Sequence, residues 1–451
     1  MEPQVALSAE ETRRMKRRAI IAATIGTSIE WYDFFLYSTV AALVFPKLFF
    51  PTHDPYTGVL LSFSTYFVGF AARPVGAAIF GHYGDRLGRK ATLIATLVIM
   101  GLGTALIGVL PTYATIGVAG GIVLTVLRAL QGIGIGGEWG GSVLLSLEWN
   151  DRGRRGLIGS WPQFGVPVGL VLSNGAFLFF NAVTGDQFLV WGWRIPFLLS
   201  VALVAVGLYI RLGILETPIF ATLVERRRIE PAPVVEVLRQ SWREVVLSAL
   251  ARLGQNTQFY IFTSFILVYG TTALGFKRGD LLNATLAMSV LSLVTVPLFG
   301  YLSDVFGRRR VYLLGCAIMV LFPFVYYGLL DTRIALVVFL AIVISLPLHD
   351  MQYGPQAALI AESFTGRLRY SGASLGYQLA SIIAGGPAPL VATALVQRFH
   401  SSLPVAIYLA LCAAVSVLAT LGLRDNRSRD ISVEYDEGAP AKPALAEEPA
   451  R

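Results

Sequence analysis

At about 150 residues per soluble domain, 451 residues would make about three domains, but this chain is 55% hydrophobic and only 14% charged, where soluble domains carry about 25% charge. Too few charges remain to coat three globular surfaces, so the excess apolar surface points to lipid as the solvent. The net charge of +8 does not indicate nucleic acid, because the Lys and Arg fall in short clusters between long apolar runs, the pattern of topology-setting loops.

The first cluster, Arg13-Arg14-Met15-Lys16-Arg17-Arg18, precedes an apolar run. A secretory leader starts the same way, but Glu30 and Asp33 interrupt this run and it then continues, which suits a first transmembrane helix. Twelve apolar segments are read in all, over 19–45, 57–82, 91–110, 114–145, 155–182, 191–212, 244–271, 281–303, 310–330, 333–358, 370–397 and 402–423. Each is long enough for a span of ~20 residues and far longer than the ~10 of a barrel strand. The fold class expected is all-α integral membrane, with twelve helices in two pseudo-symmetric six-helix bundles.

Alternate connections carry the basic residues: Arg13 to Arg18, Arg86/Arg89/Lys90, Arg152/Arg154/Arg155, Arg226 to Arg228 with Arg239 and Arg243, Arg308 to Arg310, and Arg367/Arg369. The other connections hold only scattered charges. This asymmetry places both termini in the cytoplasm of a cell with the chain in its inner membrane. The organisation expected is a cytoplasmic N-terminus (1–18), a first bundle (19–212), a polar cytoplasmic linker (213–243), a second bundle (244–424) and a disordered cytoplasmic tail (425–451) rich in Ala, Pro and Glu.

The halves repeat. Gly81-x-x-x-Asp85-Arg86-x-Gly88-Arg89-Lys90 follows the second span, and Gly300-x-x-x-Asp304-x-x-Gly307-Arg308-Arg309 follows the eighth. Glycines allow a tight turn between helices, and the carboxylate suits a helix N-terminus or a neighbouring Arg. Gly81, Asp85, Arg86, Gly88, Arg89, Asp304, Gly307 and Arg308 are therefore candidates for a conformational clasp. Val305 stands where the first half has Arg86, so the second clasp is expected to be the weaker. Glu148, Arg155 and Ser160 echo Glu362, Arg369 and Ser374 at a constant offset.

Ionisable groups deep in a span are costly and call for a function. Glu30 and Asp33 lie roughly 18–22 Å into the first span at 1.5 Å per residue, on about one helix face. Two carboxyls in a low-dielectric setting suit a proton carrier; the alternative is a static ion pair with Arg73 or Arg128. Those two arginines, with Arg252 of the seventh span, are candidate clamps for an anionic substrate. Asn256, Gln163, Gln378 and Tyr32 are candidate hydrogen-bonding partners, although buried amides also simply tie helices together. Asp350 is a third candidate for proton coupling, with His349 beside it; adjacent helical residues point apart, so direct contact between them is not expected. Glu138 reads as structural. Cys316, Cys412 and the four histidines form no metal-ligand or disulfide pattern. Gly132-x-Gly134-x-x-Gly137 matches a dinucleotide fingerprint, but inside a span it reads as close helix packing. No phosphate-binding loop supports ATP drive, and no cofactor is expected.

The repeated motif resembles the major facilitator superfamily. Glu30-Trp31-Tyr32-Asp33-Phe34, Arg73-Pro74-x-Gly76, Arg128-x-x-Gln131-Gly132 running to Gly136-Gly137-Glu138-Trp139-Gly140-Gly141, Trp191-x-Trp193-Arg194-x-Pro196-Phe197, Glu216-Thr217-Pro218-x-Phe220 and Arg369-Tyr370-Ser371-Gly372-Ala373-Ser374 resemble its metabolite:proton symporter family. His349-Asp350-Met351 and the fourth span look most like the shikimate-transporter branch. The resemblance implies a monomeric symporter, not an enzyme, that uses the proton gradient to import a small organic carboxylate by alternating access. Zwitterionic osmolytes such as proline or betaine are the alternative substrates; the short tail with Pro440 and Pro443 counts against them. Drug export is disfavoured by the fifth span, Gly159-x-x-Pro162-Gln163-x-Gly165. A membrane sensor without transport is the alternative of another class.

Overall fold

The computed structural model describes residues 8–51, 55–149, 152–226 and 228–431. Every regular element among them is helical, as a chain in lipid requires when each backbone N–H and C=O must be satisfied locally. The long helices are α1 (Ala9–Leu43), α2 (Pro55–Leu87), α3 (Arg89–Val109), α4 (Val118–Glu148), α5 (Arg155–Thr184) and α6 (Arg194–Leu212), then α7 (Trp242–Tyr260), α8 (Arg278–Phe306), α9 (Arg308–Leu330), α10 (Ala335–Ala361), α11 (Arg369–Ala380) and α12 (Leu403–Gly422). α7 continues through a π turn, Ile261–Phe265, to Thr272, and α11 through Ser381–Gly385 to Phe399. Nine helices among the described residues are long and apolar enough to cross a membrane. The other three long ones, α1, α2 and α7, carry Glu30, Asp33, Arg73 and Arg252.

Three boundaries differ from the sequence reading. α1 starts ten residues early because Ser8 and Glu11 form a capping box, Ser8 N–H donating to Glu11 Oε2 at 2.8 Å and Glu11 N–H to Ser8 Oγ at 3.2 Å. The basic cluster is therefore helical. The 213–243 connection holds two short helices, Pro218–Glu225 and Pro233–Gln240, each opened by a proline. Residues 425–431, expected to begin a disordered tail, instead bond to the protein: Arg155 Nη2 donates to the carbonyls of Arg427 and Arg429 at 2.7 and 2.8 Å, and Arg369 Nη2 to that of Ile431 at 2.9 Å. The rest of that tail, 432–451, lies outside the described residues.

Within the first half α1 packs on α4, α5 and α6, α2 on α4, and α3 on α4 and α6; within the second, α8 packs on α10, α9 on α10 and α12, and α7 on α11 and α12. Between halves α5 meets α8 and α10, and α2 and α4 meet α11. Glycine sets the closest approaches. At Gly136 a Cβ would press on the backbone of Arg73 and Ala77 in α2, so the run Gly132-x-Gly134-x-Gly136-Gly137 is a packing surface for α2 and α3 and not a nucleotide loop. Gly136→Ala is expected to cost about 1–3 kcal/mol by overpacking, read as a lower melting temperature of the detergent-purified protein. Gly175→Ala, where a Cβ meets open space, is expected to leave it unchanged.

Candidate functional site

One end of the bundle carries the arginine clusters, and there the halves are clasped twice. Asp85, at the end of α2, accepts the backbone N–H groups of Tyr370 (3.2 Å) and Ser371 (2.9 Å), which open α11. Asp304, at the end of α8, accepts those of Gly156 (2.8 Å) and Leu157 (2.9 Å), which open α5. Each carboxylate thus caps a helix N-terminus of the opposite half. Each also pairs with an arginine one turn on, Arg89 at 3.3 Å and Arg308 at 2.7 Å. Gly88 and Gly307, at φ of 110° and 106°, make the left-handed turns that reverse the chain between them. A Cβ on Gly81 would lie 2.8 Å from Ser371 Cα, so glycine permits the contact of α2 with α11.

Arg86 is not part of this geometry. It is exposed, and its guanidinium lies 3.2 Å from His82 Nε2. Val305 at the equivalent place therefore removes nothing, and the two clasps are built alike; the expected weakness of the second is not found. The echo motifs reinforce them crosswise. Glu148 receives Arg89 of its own half and Arg369 of the other, at 3.4 and 3.3 Å. Glu362 receives Arg308 of its own half and Arg155 of the other, at 3.4 and 3.3 Å. Outside this frame Glu216 accepts the N–H groups of Arg89 and Lys90 at the start of α3, as Asp425 accepts that of Arg309 in α9. Burial pushes the Glu216 carboxyl above its ordinary range, and these backbone donors pull it back. Asp425 stands in no motif, and Glu216, although it opens the Glu216-Thr217-Pro218-x-Phe220 motif, was given no partner by the sequence.

The far end is different. A cleft of about 290 Å³ lies between α1 and α5 on one side and the α7 continuation and α8 on the other, lined by Phe35, Asn174, Thr263 and Arg278 among others. Aromatic rings cross between the halves beneath it: Trp31 and Phe35 meet Phe259 at 5.6 and 6.2 Å, and Phe34 and Phe70 meet Tyr260 at 6.0 and 5.3 Å.

The central charges, all 3% exposed or less, lie within and beside this aromatic layer. Among the described residues none of Glu30, Asp33, Arg73, Arg128 and Arg252 makes a direct ion pair. Glu30 Oε2 and Asp33 Oδ1 have no hydrogen-bond partner, nor do the Nε groups of Arg73, Arg128 and Arg252. Asp33 Oδ2 accepts from Thr104 (2.7 Å); Thr104 Oγ1 in turn accepts from Gln131, whose Oε1 accepts from Arg128 at 3.2 Å. Arg128 stacks on Tyr37, 4.2 Å from the ring centroid, and belongs wholly to the first half. Arg73 stacks on Phe34 and Phe70 at 4.9 and 4.5 Å. Arg252 lies 3.4 Å over Tyr377 and donates to the Tyr377 carbonyl and Ser381 Oγ. Tyr377 stacks at 3.6 Å on Trp139 of the first half, and Phe70, under Arg73, meets Tyr260 of the second half. Arg73 and Arg252 therefore both border the interface, one from each half.

The remaining candidates divide. Gln163 accepts from Trp139 and donates to the Tyr353 carbonyl of α10, and Gln378 donates to the Ile135 carbonyl of α4; both bridge the halves. Asn256 donates to the Ala380 carbonyl. Tyr32 donates to the Pro196 carbonyl and so ties α1 to α6, away from the interface. Asp350 lies inside the second half, accepting from Ser292 (2.6 Å) and Thr295 (2.5 Å). His349 does reach it, Nδ1 lying 3.2 Å from Oδ1, against the sequence expectation. Gln255 Nε2, 2.7 Å from His349 Nε2, occupies the ring's other nitrogen and leaves Nδ1 to carry the proton toward the carboxylate. Glu138 pairs with Arg211 and accepts from Thr96 and Ser142; Arg211, at the end of α6, had no motif to reveal it.

A family model described as Major Facilitator Superfamily matches residues 23–385 and 280–445. The chain is 42% identical over 422 residues to the shikimate transporter of Escherichia coli, covering 91% of this chain and 95% of the relative. It is 40% identical over 423 residues to the inner membrane metabolite transport protein YhjE of the same organism, covering 92% and 96%. It is 30% identical over 425 residues to the proline/betaine transporter of Salmonella typhimurium, covering 92% and 85%. Among solved structures it is similar to the proton:xylose symporter XylE bound to 6-bromo-6-deoxy-D-glucose, with a TM-score of 0.75 and 17% identity, over 93% of this chain and 98% of that one.

Asp85→Asn and Asp304→Asn each replace a charged acceptor of two N–H groups by a neutral one, a loss of about 1–3 kcal/mol. Each is expected to open the arginine-rich end. With Cys316 and Cys412 replaced, maleimide should label a single cysteine at Ala357, fully buried against α5, about tenfold faster in either variant; an unchanged rate would mean the carboxylates do not hold this end shut.

Proposed function

This chain belongs to the major facilitator superfamily and is a multi-pass inner-membrane transporter of metabolites, and from that premise we propose that it is a proton-coupled symporter importing a small organic carboxylate by alternating access. The observation that carries this reading is the central set of buried charges that do not neutralise one another. A buried unpaired charge is expensive. Arg73 and Arg252 border the interface from opposite halves, and among the described residues neither they nor Glu30 makes an ion pair.

In this reading the arginine-rich end and both termini are cytoplasmic, and the cleft at the far end is the entrance from outside. Protonation of Asp33 or Glu30 removes negative charge from the centre and leaves the arginines to attract the substrate's carboxylate. Arg73 and Arg252, one from each half, take it with their bidentate forks. Arg128, tied to Asp33 through Gln131 and Thr104, responds to the state of that carboxyl. Gln163, Gln378 and Asn256 line the interface as secondary contacts. Asp350 with His349 is a second protonatable pair, in the second half. Substrate and proton together favour the arrangement in which the clasps at Asp85 and Asp304 part and the aromatic layer stays shut. The transporter works as a monomer. A name such as shikimate transporter on one relative supports a carboxylate; the proline/betaine transporter among the others supports the zwitterion as the competing substrate.

Proteoliposomes test the reading. Counterflow is expected with shikimate, 2-oxoglutarate or citrate and not with proline or betaine; counterflow by the zwitterions alone replaces the carboxylate, and none with either class removes the substrate reading. Asp33→Asn is expected to keep counterflow and to lose accumulation driven by an inward proton gradient. Full accumulation by that variant takes Asp33 out of the mechanism.

A further inference from the structure

The arginine-rich end holds a second cleft, of about 400 Å³, that the clasps do not use. It lies between the helix Pro233–Gln240, the first turn of α7, the 363–368 loop, the end of α12 and the 424–431 segment. Its polar lining includes Arg243, Glu244, Arg367, Arg424, Asn426 and Arg429, four positive charges against one negative. Arg243 and Arg424 are exposed and make no hydrogen bond or ion pair among the described residues. Like charges collected in one concave site repel one another unless an anion neutralises them. No side chain caps the N-terminus of α7, a helix of 19 residues, so its first-turn N–H groups are also directed at this region. Trp242, 55% exposed beside the cleft, is the amphipathic ring that marks the headgroup level of a bilayer.

We propose that this cleft is an anion site for a phosphate group, supplied either by the headgroup of an anionic phospholipid or by a soluble phosphate. Guanidinium forks match phosphate oxygens in pairs, and basic pockets between helices at this level of a bilayer suit a headgroup. Asn426 also donates to the Glu362 carbonyl at 3.0 Å, and the backbone of Arg429 accepts from Arg155. A bound phosphate therefore fastens the 424–431 segment to α7, and through Arg155 and Glu362 steadies the clasped end.

Thermal unfolding of the full-length protein in a neutral detergent tests the site. Three additions are compared: phosphatidylglycerol, phosphatidylcholine and inorganic pyrophosphate. A site filled at about 100 times its Kd raises the melting temperature of a chain of this size by about 3 °C. Stabilisation by phosphatidylglycerol but not by the other two assigns the headgroup; stabilisation by pyrophosphate assigns a soluble phosphate. In either case the shift is expected to vanish in R243Q/R424Q and to persist in R154Q, an exposed arginine of the same end outside the cleft. No shift with either phosphate, a shift that survives R243Q/R424Q, or one lost equally in R154Q overturns the proposal. Unfolding of R243Q/R424Q at the melting temperature of the untreated wild type verifies that the variant is folded.

Discussion

Two carboxylates hold the halves together, each by accepting two backbone N–H groups from the first turn of a helix that belongs to the other half. Asp85 caps α11 and Asp304 caps α5. A helix N-terminus is the one place in a folded backbone where donors stand unsatisfied and partial positive charge accumulates. The bond is strong because an ion meets oriented dipoles, yet it is made to groups that remain presentable to water if the carboxylate leaves. Such a contact can be made and broken without unfolding either helix. Glu148 and Glu362, each shared between arginines of both halves, add a second tier of the same kind.

That economy at one end sets off the centre of the molecule. At the clasped end Asp85, Asp304, Glu148, Glu362 and Glu216 all have partners, whereas Glu30 Oε2 and Asp33 Oδ1 have none among the described residues. Arginines are near but engaged with ring faces, at 3.4 to 4.9 Å from ring centroids for Arg73 and Arg252. Cation–π contacts hold a guanidinium in place while leaving its N–H fork directed elsewhere. In the proposed reading this keeps the charges in position for an anion and a proton, with Arg252 further fixed by its bonds to the Tyr377 carbonyl and Ser381 Oγ.

The two-fold plan extends beyond the motifs. Gly88 and Gly307 adopt the same left-handed φ, Glu216 and Asp425 cap the helices that follow, and Lys90 and Arg309 each donate to the last-turn carbonyls of α6 and α12, at Leu212 and Leu421. The 424–431 segment occupies in the second half the place that the start of the linker occupies in the first. Its order follows from this duplication: the carbonyls of Arg427, Arg429 and Ile431 complete the hydrogen bonding of Arg155 and Arg369, which the ion pairs alone leave unfinished.

Hydropathy, the run of arginines and the repeated motif were enough to read the twelve helices, the duplication and the depth of Glu30, Asp33, Arg73 and Arg252 from the sequence, because burial in lipid and 1.5 Å of rise per residue are properties of a segment by itself. Partnership is not such a property. Arg86 looked equivalent to Arg89 within its motif, yet Arg86, in the last turn of α2, is turned outward to His82, while Arg89, opening α3 after the turn at Gly88, meets Asp85. His349 meets Asp350 although neighbours on a helix diverge, and Arg211 finds Glu138 across 73 residues. Which charges pair, and which stay without an ion pair near the interface, was decided by how the helices pack, since the orientation of a side chain in space depends on neighbours that its own stretch of sequence does not contain.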